Sequence, residues 1–217
     1  VPGMWELNGY GDPVYVNVGY AWSGHYENNP PIPADWHNYV GQYRRTFELD
    51  KDWEGKDIFL HIGSATSNVR VWVNGKEVGY SEDSKLEARF NITKFVKTGE
   101  NLIALEIFRW CDGSYLEDQD FWRFTGISRD VYVYSREKNR LEDIKVVASA
   151  SGEASLCAEV SKGVTSLQYT VLDPFGKEVA SQTVQVKTKE RSENGRPVVR
   201  TTLQVPAVRQ WTAETPW

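Results

Sequence analysis

Val69-Arg70-Val71-Trp72-Val73-Asn74-Gly75-Lys76-Glu77-Val78-Gly79-Tyr80 is the stretch that decides the fold. Val69, Val71 and Val73 alternate with Arg70 and Trp72, the period-2 pattern of a strand with one buried face. Asn74-Gly75 follows at once, and both residue types tolerate the positive φ that a two-residue hairpin turn requires. A second strand therefore starts at Lys76. Working outward, Ile58-Phe59-Leu60-His61-Ile62 alternates in the same way and places Ile58, Leu60 and Ile62 inward. Val40 to Leu49, Phe90-Asn91-Ile92 and Asn101 to Trp110 supply further strands, with Lys97-Thr98-Gly99-Glu100 as a turn. No stretch keeps a 3.6-residue period for the roughly 10–12 residues that argue for a helix. The first part of the chain reads as all-β.

Before these strands, residues 1–38 are irregular, punctuated by Pro, Gly and Asn that forbid long helices. Val14-Tyr15-Val16-Asn17-Val18 is a short alternating run, with the three valines on one face and Tyr15 and Asn17 on the other. After Tyr134 the texture changes. Ser135 to Arg140 is a polar linker, and five short strands follow at Ile144–Ser149, Ser155–Val160, Leu167–Leu172, Val179–Val186 and Val198–Val205. Repeated short strands with turns such as Asp173-Pro174-Phe175-Gly176 fit an immunoglobulin-like β-sandwich over 140–217. A seven-stranded sandwich would lack its last strand, so this domain reads as truncated.

Between the strand ending at Trp110 and the one starting at Val131 lies Asp112-Gly-Ser-Tyr-Leu-Glu-Asp-Gln-Asp-Phe-Trp-Arg-Phe-Thr-Gly126. Asp112, Glu117, Asp118 and Asp120 alternate there with Tyr115, Phe121, Trp122 and Phe124, and the first base is Arg123. A connection of about 20 residues inside a β domain is most often functional. Carboxylates among aromatic rings suit a polyol, since the acids accept hydroxyl hydrogens and the rings pack against C–H faces. The same acids can share a hard cation through oxygen ligands. The plain alternative is a solvated acidic loop whose aromatics plug the core beneath it.

A net charge of −5 and a pI near 5.4 exclude nucleic acid and anionic membrane as natural partners, because both select basic patches. No apolar run approaches the ~18 residues of a membrane helix. Compartment stays open between cytoplasmic and exported. Cys111 and Cys157 have no metal-ligand spacing and no local reason to pair. His25, His37 and His61 are scattered and read as packing or surface residues. Seven of the nine tryptophans fall before residue 123, so the two ends of the chain differ in kind. Trp5, Trp53, Trp72 and Trp110 read as core, and Trp122, beside Asp120, as the ring nearest a ligand.

The run Val71 to Tyr80, the loop Asp112 to Gly126 and its continuation Ile127-Ser-Arg-Asp-Val131 resemble the amino-terminal region of glycoside hydrolase family 2, closest to its large β-galactosidases. Pro13-Val-Tyr-Val-Asn-Val18 and Trp211-Thr-Ala-Glu-Thr-Pro216 resemble further motifs of that family, so the likeness spans the chain. It implies that residues 1–136 are a jelly-roll sugar-binding domain and that a (β/α)₈ barrel carrying both catalytic glutamates would follow Trp217. By motif position it implies substrate contact by Asn17 and by Asp120, and sodium binding by Asp120. Asp112 and Glu82 fall where the family holds a peripheral magnesium, although Glu82 replaces a more usual glutamine and the other ligands come from an upstream arm. The implied partner is a β-galactoside held together with the barrel. The parent's homo-oligomeric state is left open.

Glycoside hydrolysis needs two carboxyl groups about 5–5.5 Å or 6.5–9.5 Å apart, one of them held protonated. Asp118 with Asp120, or Glu117 with Asp120, could meet the distances, but four acids in nine residues more naturally share a cation. No catalytic residue is therefore expected in this chain. Three readings remain: an accessory part of a β-galactosidase, a stand-alone carbohydrate-binding module, and a structural pair of β-sandwiches serving subunit assembly.

Overall fold

The computed structural model describes residues 1–117 and 119–215. Among them the regular structure is β-strand with three short 3₁₀ turns and no α-helix, as the period-2 patterning requires. The chain divides into two compact units, Val1–Arg136 and Glu137–Trp217.

The first unit holds twelve strands: β1 Gly3–Met4, β2 Val14–Val16, β3 Val40–Leu49, β4 Asp57–Ile62, β5 Ala65–Thr66, β6 Val69–Val73, β7 Lys76–Ser81, β8 Ala88–Asn91, β9 Gly99–Phe108, β10 Phe121–Arg123, β11 Gly126–Ile127 and β12 Val131–Arg136. Its two larger sheets run in the orders β3-β9-β6-β7 and β12-β4-β8, with antiparallel pairing throughout. Ile58, Leu60 and Ile62 from one sheet share a core with Val69, Val71, Val73, Ile103, Leu105 and Ile107 from the other. Each is an alternate residue of its strand, so one pleat face supplies the whole layer. Burying each such side chain contributes about 1.5–3 kcal/mol relative to leaving it in water. The β6–β7 hairpin closes at Val73↔Lys76, with Asn74 at φ 50° and Gly75 at φ 77°. That is the both-positive turn the Asn-Gly pair predicts.

Two strand ends differ from the sequence expectation, each for a polar reason. β9 begins at Gly99, inside the expected turn, because buried Asn101 donates to the Lys97 and Gly99 carbonyls and accepts from the Lys97 N–H. It stops at Phe108 because Trp110 is held elsewhere: its backbone N–H donates to Asn38 Oδ1 and its indole N–H to the Trp36 carbonyl. Trp110 thereby joins Ala21, Trp22 and Ala34 in a second small core built on the irregular 1–38 segment. Of the other tryptophans expected in the core, Trp5, Trp53 and Trp72 are half-buried. Trp22 is the most enclosed of those described, at 1% exposed. The expected linker also begins late, since Ser135 and Arg136 still pair with Ile58 and Asp57. Ladder hydrogen bonds outweigh the polar composition there.

The second unit holds β13 Leu141–Ala148, β14 Glu153–Val160, β15 Ser166–Leu172, β16 Glu178–Gln185 and β17 Val198–Gln204. They form the sheets β13-β14-β17 and β15-β16, with Leu156, Ala158, Tyr169 and Leu203 at the centre of their core. Each strand lies within a few residues of where its alternation predicts it. The two cysteines are free, Cys111 buried in the first unit and Cys157 on β14 of the second.

Candidate functional site

The described residues of the acidic–aromatic loop carry regular structure. It starts as a 3₁₀ turn over Asp112–Tyr115, passes through β10 and β11, and drops Tyr115 into the second core. The Tyr115 ring lies 5.2 Å from both the Tyr20 and the Trp22 rings, edge-on. The plugging role weighed for its aromatics therefore holds for Tyr115. Trp122 is different, with 51% of its surface exposed.

β2 pairs with β10 in the register Val14↔Arg123, Tyr15↔Trp122 and Val16↔Phe121. One residue beyond the ladder, at the same end, stand Asn17 and Asp120, both exposed. The Tyr15 hydroxyl donates to Asp120 Oδ1 at 2.7 Å. The Tyr15 and Trp122 rings are 5.5 Å apart at 51°, and Trp122 stacks on Phe124 at 5.9 Å and 9°. A carboxylate, an amide and open aromatic faces are thus gathered in one place, as recognition of a polyol needs. Val18 is 84% exposed instead of extending the inward face of β2, because the strand ends at Val16 and Gly19 turns the chain at φ 81°.

The opposite end of this ladder is clamped from within. Arg109, 1% exposed, donates from Nη2 to the Asp12 carbonyl at 2.7 Å, just before β2. Its Nε lies 3.9 Å from Glu6 Oε1, and its guanidinium sits 4.9 Å from the Trp110 ring and 5.7 Å from the Tyr39 ring. Glu6 Oε2 accepts the Thr125 N–H at 2.8 Å, just after β10, and the Trp5 N–H reaches the Thr125 carbonyl at 2.8 Å. Burial pushes the Arg109 guanidinium down, and Glu6 opposes that shift. One buried ion pair therefore ties down the far ends of β2 and β10, the two strands that Asn17 and Asp120 adjoin.

The loop acids do not act as one group. Glu117 is half-buried, and its Oε1 accepts the Ser84 N–H at 3.1 Å. Asp120 faces Tyr15, whereas Asp112 turns to Glu82. The ligand atoms of Glu82, Cys111 and Asp112 all lie within 4.8 Å of one another. Burial pushes the Glu82 carboxyl up, as do neighbouring Asp112 and Glu117, while the Tyr80 hydroxyl donating to it works the other way. Of the acids expected to share a cation, Asp112 faces Glu82, Glu117 accepts from Ser84 and Asp120 accepts from Tyr15. Asp118, one member of the weighed catalytic pairs, lies outside the described residues.

Tyr15, Cys111, Arg109 and Glu6 were not singled out as site residues from sequence. Tyr15 left a signal, since alternation already placed it on the face of Asn17. The buried Arg109–Glu6 pair left none. The three histidines serve as ring partners: His25 and His37 stack on Trp36, and His61 stacks on Tyr132 and faces Glu87.

The Tyr15–Asp120 contact makes a first prediction. The hydrogen bond to Asp120, then burial, then the Asp120 charge raise the Tyr15 phenol above its ordinary value of 10. A raised folded value means that this stabilisation is complete below about pH 10 and lost as pH climbs through the folded ionisation. Tyr15 is expected to ionise later than a free phenol in alkaline titration of tyrosine-labelled protein by NMR. In Asp120→Ala its midpoint should fall back toward 10. An unchanged midpoint would show that the contact is not formed in solution.

The two-sheet core defines a β-sandwich of the jelly-roll kind. Residues 1–137 match the family described as "Glycosyl hydrolases family 2, sugar binding domain", and the chain belongs to that family. It is 39% identical over 227 residues to the β-galactosidase of Priestia megaterium, a match covering 100% of this chain and 22% of that protein. It is 38% identical over 226 residues to the β-galactosidase of Photobacterium profundum, covering 100% and 21%. The chain thus spans about a fifth of the length of the curated relatives it matches, and corresponds to their amino-terminal region. Among solved structures, a family 2 member from Bacteroides cellulosilyticus DSM 14838 superposes with a TM-score of 0.65 at 19% identity, covering 100% of this chain and 28% of the other. An apo β-glucuronidase from Ruminococcus gnavus gives 0.63 at 21% identity, covering 82% and 31%. These structural likenesses establish the fold. No helix among the described residues is long and apolar enough to cross a membrane.

Proposed function

We propose that this chain is the accessory amino-terminal part of a β-galactosidase, lending substrate- and cation-contacting groups to a barrel active site outside its two β units. The observation that carries the reading is the β2–β10 ladder, which sets Asn17 and Asp120 side by side at one exposed end next to Trp122. Asp120 Oδ1 is oriented by Tyr15, leaving its other oxygen to accept a galactose hydroxyl or ligate sodium. Asn17 would add an amide contact, and Trp122 a face for the sugar's C–H surface. The relatives' β-galactosidase names support a terminal β-galactoside such as lactose as substrate. The second unit is read as an immunoglobulin-like domain over 140–217.

Sodium fits Asp120 as one oxygen ligand among several, the others coming from the barrel. Bound there, the ion would supply positive charge beside the sugar hydroxyl. Magnesium at Glu82 and Asp112 fits less well. It demands near-octahedral oxygen ligation, and the donor set here is two carboxylates and a thiol.

Hydrolysis by this chain itself is not expected. Of the candidate pairs, Glu117 is engaged by the Ser84 N–H and Asp120 by the Tyr15 hydroxyl, so the two carboxyls serve different neighbours. The purified chain should leave a chromogenic galactoside intact at any pH, and should restore turnover when supplied with the remainder of its parent polypeptide. Turnover by the chain unaided would overturn the accessory reading. The exposed Trp122 ring favours a stand-alone carbohydrate-binding module as the second reading. Saturable galactose binding by the isolated chain, without rescue of the barrel, would select it.

A further inference from the structure

The outer face of the β3-β9-β6-β7 sheet carries a tryptophan that the core does not use. Val71 and Val73 are buried, so Trp72 between them points outward, half-buried. Its indole N–H has no hydrogen-bond partner among the described residues. Strand pairing sets its neighbours. Arg44, Ala104 and Trp72 form one row across β3, β9 and β6, and Gln42, Glu106 and Arg70 form the next. A register shift in the β6–β7 pairing brings Glu77 opposite Trp72, where it meets Arg70 Nε at 3.5 Å. Such irregularities re-aim side chains. Ala104 is the small member of its row, and a cavity of about 390 Å³ opens there, lined also by Arg44, Trp72, Leu102, Gln42 and Glu106. That volume falls within the roughly 300–1,000 Å³ of small-molecule sites. Gln42 Nε2 donates to Glu106 Oε2 at 2.9 Å, which fixes the carboxylate and leaves Oε1 to accept. Arg44 is exposed and has no ion-pair partner among the described residues.

We propose that the cavity over Ala104 binds a neutral pyranoside, a sugar unit held on the sheet face between Trp72 and Arg44. A pyranose ring presents an apolar C–H surface and a rim of hydroxyls. The Trp72 ring suits the first. The second is met by Glu106 Oε1 as acceptor, by the Trp72 indole N–H, and by the Arg44 guanidinium as a fork of donors. Charge decides against an anion. Arg44 and Glu106 line the cavity together, and Arg70 beside it is taken by Glu77, so no surplus cation waits for a carboxylate or phosphate. A purely apolar ligand is disfavoured as well, because it would take Gln42, Arg44 and Glu106 from water without giving them partners. None of these residues lies on β2, on β10 or in the loop that carries Asp120. The site therefore does not rest on the accessory reading.

The test uses the full 217-residue chain carrying Asp120→Ala, which removes the carboxylate proposed to meet a sugar elsewhere. Lactose is titrated while the indole N–H resonances are followed by NMR. The Trp72 resonance should shift saturably, and those of buried Trp22 and Trp110 should stay in place. Ala104→Leu fills the cavity from an outward position, so it should weaken lactose roughly tenfold or more without moving the melting temperature. Trp72→Ala should abolish binding, and Ala104→Leu decides the matter if that variant fails to fold. Glu106→Gln should weaken lactose by a smaller factor. A Trp72 resonance unmoved by lactose up to its solubility would overturn the site. So would lactose affinity indifferent to Ala104→Leu, which marks non-specific contact, or glucuronate binding more tightly than lactose, which marks an anion site of Arg44. A shift confined to Trp122 would also overturn it, and would speak for the binding-module reading instead.

Discussion

Asp120→Ala, made in an enzyme that joins this chain to a catalytic barrel, is expected to lower kcat/KM roughly ten- to a hundredfold. A carboxylate accepting a sugar hydroxyl makes a charge-assisted hydrogen bond worth about 1.5–3 kcal/mol. At about 1.4 kcal/mol per decade, that gives the stated range. The sodium response should weaken in the same variant, because one carboxylate would serve both sugar and ion. Tyr15→Phe should cause a smaller loss, since the acid remains and what goes is the hydroxyl fixing its orientation. In the isolated chain Asp120→Ala should move the melting temperature by no more than about a degree or two, as expected of a surface substitution. Wild-type kinetics and sodium response, combined with a loss of several degrees in the chain, would make Asp120 a structural acid and end the shared-site reading.

The largest stability effect is expected at Arg109. Truncating it to Ala leaves the Glu6 carboxylate buried without its cation, and removing one partner of a buried pair typically costs about 3–5 kcal/mol. For a unit of this size that is a melting-temperature loss on the order of 10 °C. Arg109→Met combined with Glu6→Gln should recover much of it, because no uncompensated charge remains and the Gln oxygen can still accept the Thr125 N–H. The loss should also reach the site. With the Asp12 carbonyl released, β2 loses its anchor, and the Tyr15 ionisation should slide toward that of a free phenol even where the protein stays folded. A single variant losing less than about 1 kcal/mol would show that water reaches the pair.

Much of this molecule was legible because strand alternation is local. Ile58, Leu60 and Ile62, and likewise Val69, Val71 and Val73, are inward because successive side chains of a strand point to opposite faces. Asn74-Gly75 closed its hairpin because few other residue pairs accept two positive φ angles. The second core was not legible. Trp22, Ala34 and Trp110 come from segments without periodicity, and nothing local marks Trp22 as the most enclosed ring.

The sequence by itself determined an all-β chain, its hairpin and its family motifs, and named the candidates to meet a sugar. Only the tertiary structure decided which of those residues belong together. Tyr15 meets Asp120 across 105 positions, Asp12 meets Arg109 across 97, and Glu6 meets Thr125 across 119. Four acids within nine residues look like one cluster along the chain. Yet Asp112 joins Glu82 and Cys111, Glu117 caps Ser84, and Asp120 turns to Tyr15. The reason is that a side chain's direction follows from its own strand or turn, whereas its partner is set by which distant strand the ladder brings alongside.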